Sequence, residues 1–191
     1  RGLRDLAVFL GEHGIGGAAV MKLWAELGAR AISILRADPY RLIGLVRGMG
    51  FGRVDRLALR LGLDPAAAVR VQAAILHAVA AEVRAGHAYA PLSALERRVS
   101  AMIGVPGRQL VPALQTLALE GALAIEEHDR AWCVYQPELL RAEHEAARGL
   151  AALARAPARL STASPSVLAR VASHAGLDRT QREALDLLAR H

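Results

Sequence analysis

The chain repeats itself near its start. When Gly14 is laid over Gly48, Ile15 falls on Met49 and Gly16 on Gly50. The agreement continues with Val20 on Val54, Lys22 on Arg56, Leu23 on Leu57, Leu27 on Leu61 and Gly28 on Gly62. Each copy reads glycine–apolar–glycine, then an amphipathic helix, then a glycine that stops it. A tetratricopeptide array has a similar period, but it requires more copies and aromatic packing positions that this chain lacks.

The spacing has a chemical meaning. Two glycines let the backbone turn sharply and approach another surface with no Cβ in between. The apolar residue between them, Ile15 or Met49, anchors the turn in a core. The helix that follows begins with unpaired N–H groups and a positive dipole end, and both favour a phosphate oxygen. Lys22 and Arg56 add charge further along each helix, while Arg47 and Arg53 flank the second turn more closely. Contacts of this kind hold a nucleic-acid backbone without reading its sequence. Duplication in register therefore favours tandem helix-hairpin-helix units over ordinary helical corners packed on glycine. The expected DNA-backbone set is Gly48, Gly50, Gly52, Arg47, Arg53 and Arg56, joined by Gly14, Gly16 and Lys22. The second copy is expected to be the main contact and the first mainly scaffold.

Composition agrees with a helical fold. The chain is 53% hydrophobic and only 4% aromatic, which suits closely packed helices better than a β-sandwich. No apolar run approaches the length of a membrane span, and Arg1-Gly2-Leu3-Arg4-Asp5 lacks the apolar core of a signal peptide. A soluble, cytoplasmic protein with no membrane partner is the default expectation. Cys133 is the only cysteine, which excludes an internal disulfide and a cysteine-built zinc site. The net charge is +6 with an isoelectric point near 10.6, which points to a polyanionic partner. Lys22 is the only lysine. An Arg-, Ala-, Gly- and Leu-rich composition also follows from GC-rich coding, so the placement of charge carries the argument and its sum does not.

The second repeat carries a specific likeness. Asp38-Pro39-Tyr40-Arg41-Leu42, Gly48-Met49-Gly50-Phe51 and Val54-Asp55-Arg56-Leu57-Ala58 resemble the amino-terminal region of long-form RecD-type superfamily 1 DNA helicases. There the corresponding run is similar to N-P-Y-R-L, a spacer, then G-I-G-F-K-T-A-D-R-I-A. Gly52 stands where that family usually has Lys and Val54 where it has Ala, with Arg53 offering charge from the next position. The resemblance implies a parent 5′→3′ DNA helicase driven by ATP and Mg²⁺, with this region binding DNA beside a motor domain and acting in unwinding, recombination or repair.

Further along, Asp64-Pro65 reads as a helix start and the helix runs to about Arg84. A short extended segment, Gly86 to Pro91, precedes helices near Leu92–Ile103 and Gly107–Glu120. Alternation over Ala122–Glu127 and Ala131–Tyr135 around His128-Asp129-Arg130 predicts a β-hairpin. Strand, two helices and a hairpin make a winged-helix arrangement. Its second helix offers only Arg108, Gln109 and Gln115 to a groove, and its wing sets Glu126, Glu127 and Asp129 against Arg130. Packing or partner contact suits it better than reading DNA. His144-Glu145-Ala146-Ala147-Arg148 lacks the second His of a zinc-protease helix, so no metal site is expected.

Leu177 to Leu185 begins a last helix with Asp178 or Thr180 as cap. The helicase resemblance extends to it: a segment like L-x-x-x-Q-x-x-A precedes the ATP-binding strand there, which implies adenine contact for Gln181. The phosphate loop G-x-x-x-x-G-K-[ST] is missing, so the chain is expected to end before the motor's ATP site. No catalytic residue and no cofactor are assigned to it. The expected fold is mainly α, with tandem helix-hairpin-helix followed by a winged-helix-like domain carrying a small β-hairpin. The boundaries are 1–64 for the tandem units, 65–86 for a connecting helix and 87–136 for the winged-helix-like domain. A helix and linker at 137–176 and the start of a motor domain at 177–191 complete it. Two rivals stay open: a helix-hairpin-helix DNA glycosylase, which lacks a credible catalytic Asp and Lys pair here, and a protein-interaction scaffold.

Overall fold

The computed structural model describes residues 1–156, 167, 170 and 175–188, with the side chains of 185–188 excluded. The contacts divide the chain into two units, Arg1–Glu143 and His144–His191.

The first unit opens with α1 (Gly2–Gly11), whose Leu6, Phe9 and Leu10 recur at helical spacing and are buried. The first glycine turn leads into α2 (Gly17–Leu27). A 3₁₀ turn at Gly28–Arg30 and the short α3 (Ala31–Ala37) follow. Pro39 then restricts the chain to a 3₁₀ turn, Pro39–Leu42, capped by the Asp38 side chain accepting from the Tyr40 N–H at 3.0 Å. The second glycine turn leads into α4 (Phe51–Arg60). The helix expected from Asp64-Pro65 starts later, as α5 (Ala68–Arg84). The cause is local: Asp64 Oδ1 accepts from the Ala66 N–H at 2.8 Å, which holds a turn, and Ala67 is extended before α5 begins.

The remaining elements are β1 (Tyr89–Pro91), α6 (Leu92–Ile103), α7 (Leu110–Leu119), β2 (Ala124–His128) and β3 (Ala131–Tyr135). The strands pair antiparallel in the order β1-β3-β2. Tyr89 and Ala124 both oppose Tyr135, and Ala90 and Ile125 both oppose Val134, so one row of this face turns toward the helices. The hairpin closes through Asp129 and Arg130, both at positive φ, as a two-residue turn matching strand twist requires. α5 packs on both α6 and α7, and the three strands form a small antiparallel sheet beside them.

One apolar core runs through this unit, from Leu6, Leu10 and Leu23 through Val54 and Ile75 to Leu95, Leu110 and Val134. A last helix, α8 (Pro137–Arg155), begins in the first unit and continues into the second. The second unit also contains α9 (Arg179–Leu188). The linker expected from Ala156-Pro157 to Ser166 lies outside the described residues after Ala156. Among the described residues no helix is long and apolar enough to cross a membrane.

Candidate nucleic-acid interface

The two glycine turns are built alike. Gly14 and Gly48 have φ of +71° and +80°, a region that costs other L-residues about 1–2 kcal/mol. Ile15 and Met49 are buried, which anchors each turn. Gly16 and Gly50 are extended and cap α2 and α4 without a side-chain hydrogen bond. Among the described residues no hydrogen bond takes up the N–H groups of Gly16, Gly17 and Ala18, or those of Gly50, Phe51 and Gly52. Only the next donors turn inward: Ala19 and Arg53 donate to the carbonyls of Gly16 and Gly50, each at 3.1 Å. Each helix thus presents bare backbone donors and a positive dipole end.

The turns also share one cleft, about 390 Å³, with Gly14, Gly16 and Gly17 on one side and Arg47, Met49 and Arg53 on the other. Arg47 and Arg53 are exposed and form no ion pair among the described residues. The backbone of the first repeat and the two arginines of the second line this cleft together. The structure does not bring the whole expected set into the cleft. Gly48 and Gly50 flank Met49, Gly52 is exposed at the start of α4, and Arg56 and Lys22 are exposed farther along α4 and α2. Gln181 is in the second unit. There it forms a reciprocal cap with Asp178, donating its N–H to Asp178 Oδ1 at 2.9 Å while its Oε1 accepts the Asp178 N–H at 3.1 Å.

A cluster that the sequence reading missed supports this surface. Asp55 of α4 receives a bidentate pair from Arg70 of α5, Nε to Oδ1 at 2.8 Å and Nη2 to Oδ2 at 2.9 Å. The Tyr40 hydroxyl donates to the same Oδ1 at 2.5 Å. Arg70 Nη1 donates to the carbonyls of Pro65 at 2.8 Å and Ile103 at 3.0 Å. Arg70 is the only buried charged residue described, at 6% exposure, and burying it is tolerable because its donors are paired. Burial alone would raise the Asp55 carboxyl, but hydrogen bonds from Arg70 and Tyr40 and the Arg70 charge hold it below the usual carboxylate range. Burial, with the hydrogen bond and charge of Asp55, raises the Tyr40 hydroxyl well above the usual tyrosine value. Beside it Phe51 stacks between Tyr40 and His77, with ring centroids 5.9 and 5.1 Å away. Burial, then the charges of Arg84 and Arg98, lower the His77 value. The second glycine helix is thus tied at its inner face to α5 and, through Arg70, to the end of α6.

The segment from β1 to β3 exposes arginines, carboxylates and apolar side chains together: Arg97, Arg98 and Arg108 are exposed. On α7, Val111 and Leu119 are exposed, the latter at 90%, and the wing exposes Glu127 and Asp129 beside Arg130.

The glycine requirement separates into two kinds, which stability measurements can tell apart. Gly48→Ala is expected to lower unfolding free energy by about 1–2 kcal/mol through its positive φ alone, because an added Cβ meets nothing within 4 Å. Gly50→Ala also meets nothing within 4 Å and has no such strain; its cost, as a helix cap, is expected to stay under about 1 kcal/mol. The packing of the fold therefore makes no steric demand for glycine at position 50. Across Arg1 to Tyr89, from α1 through α5 to the edge of β1, the chain matches the family model of the ATP-dependent RecD2 DNA helicase HHH domain, and this stretch is similar to the helix-hairpin-helix region of that helicase type.

Proposed function

We propose that the chain binds the DNA backbone, without reading sequence, through the cleft shared by its two glycine hairpins, as the amino-terminal region of a RecD2-type, ATP-dependent 5′→3′ helicase. One observation carries the reading: the free backbone donors at the start of α2 and the guanidinium groups of Arg47 and Arg53, unpaired among the described residues, line a single cleft. A phosphate there gains charge-assisted hydrogen bonds from both arginines and neutral ones from the backbone. Neither type distinguishes one base pair from another. In the whole helicase, this region would hold the DNA backbone while a motor domain moves along it during unwinding, recombination or repair.

ATP and Mg²⁺ belong to the motor in this reading, and the residues present do not fit them. Lys22 lies within α2 and is followed by the fully buried Leu23, so it is not in a phosphate loop. Contact of Gln181 with adenine requires its carboxamide oxygen to leave the Asp178 cap.

The test is binding to several duplexes of unrelated sequence across a salt series. Affinities should agree between sequences and fall with salt, with a logarithmic slope of about −2 to −4 for a few phosphates. Gly16→Ala should weaken binding several-fold while the protein stays folded, as its Cβ enters the cleft where the backbone would meet phosphate. Binding that discriminates strongly between sequences, or no binding at low salt, would overturn the proposal. In the latter case a partner recovered through the exposed α7 face would favour an interaction scaffold.

A further inference from the structure

The displacement that lays Gly14 on Gly48 also lays Gly17 on Phe51 and Met21 on Asp55. On α4 both positions are covered. Phe51 is stacked between Tyr40 and His77, and Asp55 is held by Tyr40 and Arg70 of α5. On α2 the same face is open. Gly17 has no side chain, Met21 is 58% exposed, and a groove of about 770 Å³ lies between α1 and α2. Ala7 and Met21 line it together with Arg1 and Arg4. No carboxylate lines it.

This groove is continuous with the phosphate cleft. Ile15, Gly16 and Gly17 line both cavities, one on each side of the first turn. The ridge between them is bare backbone, since a Cβ at Gly16 or Gly17 would meet nothing within 4 Å. It also carries the free N–H groups of Gly17 and Ala18. A strand crossing the ridge meets donors at the crest, cationic side chains on both flanks and an apolar slot on one side only.

We propose that the α1–α2 groove takes an unpaired base of single-stranded DNA, so that the first hairpin recognises the point where duplex gives way to single strand. The inference rests on the reading of the cleft as a DNA-backbone site. A phosphate sits over Gly17 and Ala18, its base enters the slot against Ala7 and the Met21 thioether, and the next phosphate is drawn to Arg4. A thioether and a flat apolar wall suit an aromatic base without selecting among bases. The second hairpin lacks this function because Phe51 fills the equivalent place.

The experiment compares the 191-residue chain on a blunt duplex, the same duplex with a short single-stranded tail, and a tailed duplex whose first unpaired nucleotides are abasic. Binding to the tailed duplex should be about tenfold tighter than to the blunt one, and the abasic tail should lose most of that gain. Ala7→Trp, which plugs the groove on the exposed side of α1 away from the cleft, should leave blunt-duplex affinity unchanged and remove the gain. A tail that adds nothing, or an abasic tail that keeps the whole gain, overturns the inference while leaving the cleft reading intact. Unaltered tail preference in Ala7→Trp also overturns it and points to protein as the groove's occupant. Loss of binding to every DNA refutes both readings.

Discussion

Placing glutamate at both Arg47 and Arg53 is expected to weaken binding to a blunt duplex about a hundredfold at low salt, roughly 2.8 kcal/mol. Two effects combine. Two charge-assisted contacts are lost, and two carboxylates are placed against phosphate in a cleft whose opposite wall is uncharged backbone. The salt dependence should flatten as well, its slope falling by about one for each phosphate contact removed. Folding should be nearly unchanged, because both side chains are exposed and unpaired among the described residues and surface changes of this kind stay within about 0.5 kcal/mol. Lys22→Glu serves as a control of equal charge change per residue: Lys22 lies outside the cleft lining and should cost only a few-fold. Affinity that survives the double reversal, measured by anisotropy on a protein with an unaltered melting curve, removes the clamp from consideration.

The hairpins were legible because what they need is local. A positive φ at Gly14 and Gly48, a buried anchor at Ile15 and Met49, and a bare helix start at Gly16 and Gly50 are each written in a few adjacent residues. The cap of α9 was equally local, since Asp178 and Gln181 stand three apart as a capping box demands. The shared cleft was not legible. Nothing in the sequence brings Gly16 of one repeat and Arg53 of the other to the same cleft, which is a matter of how the two hairpins pack. The same holds for α5. Its alanine-rich sequence reads as a connector, and Arg70 looks like any solvated arginine until Asp55, Pro65 and Ile103 are brought to it. Tyr40 and Asp55 both lie within the motif that resembles the helicase family, but the motif gives no reason for either. The reason is a contact across fifteen residues of chain between them.

The largest stability effect should come from that contact. Asp55→Ala leaves the Arg70 guanidinium buried with only the Pro65 and Ile103 carbonyls as partners. Removing one member of a buried pair costs about 3–5 kcal/mol, which for a unit of this size lowers the melting temperature by about 10 °C. A double variant, Asp55→Leu with Arg70→Met, should recover part of the loss, since apolar packing replaces a charge that no longer needs a partner. The pH dependence separates the pair from simple loss of volume. A carboxyl held below its usual value binds its proton less readily folded than unfolded, so its contribution is complete above about pH 4 and is lost as pH falls through the lowered folded value. Wild-type stability should therefore drop more steeply than that of Asp55→Ala below about pH 4, and the two curves should converge toward acid. His77, whose value is also lowered, acts in the same direction at higher pH: its contribution is present above about pH 6.5 and declines below it in both proteins. Parallel curves across the acid range, or a loss under about 1 kcal/mol at neutral pH, would show that the Asp55–Arg70 pair does not hold α4 against α5.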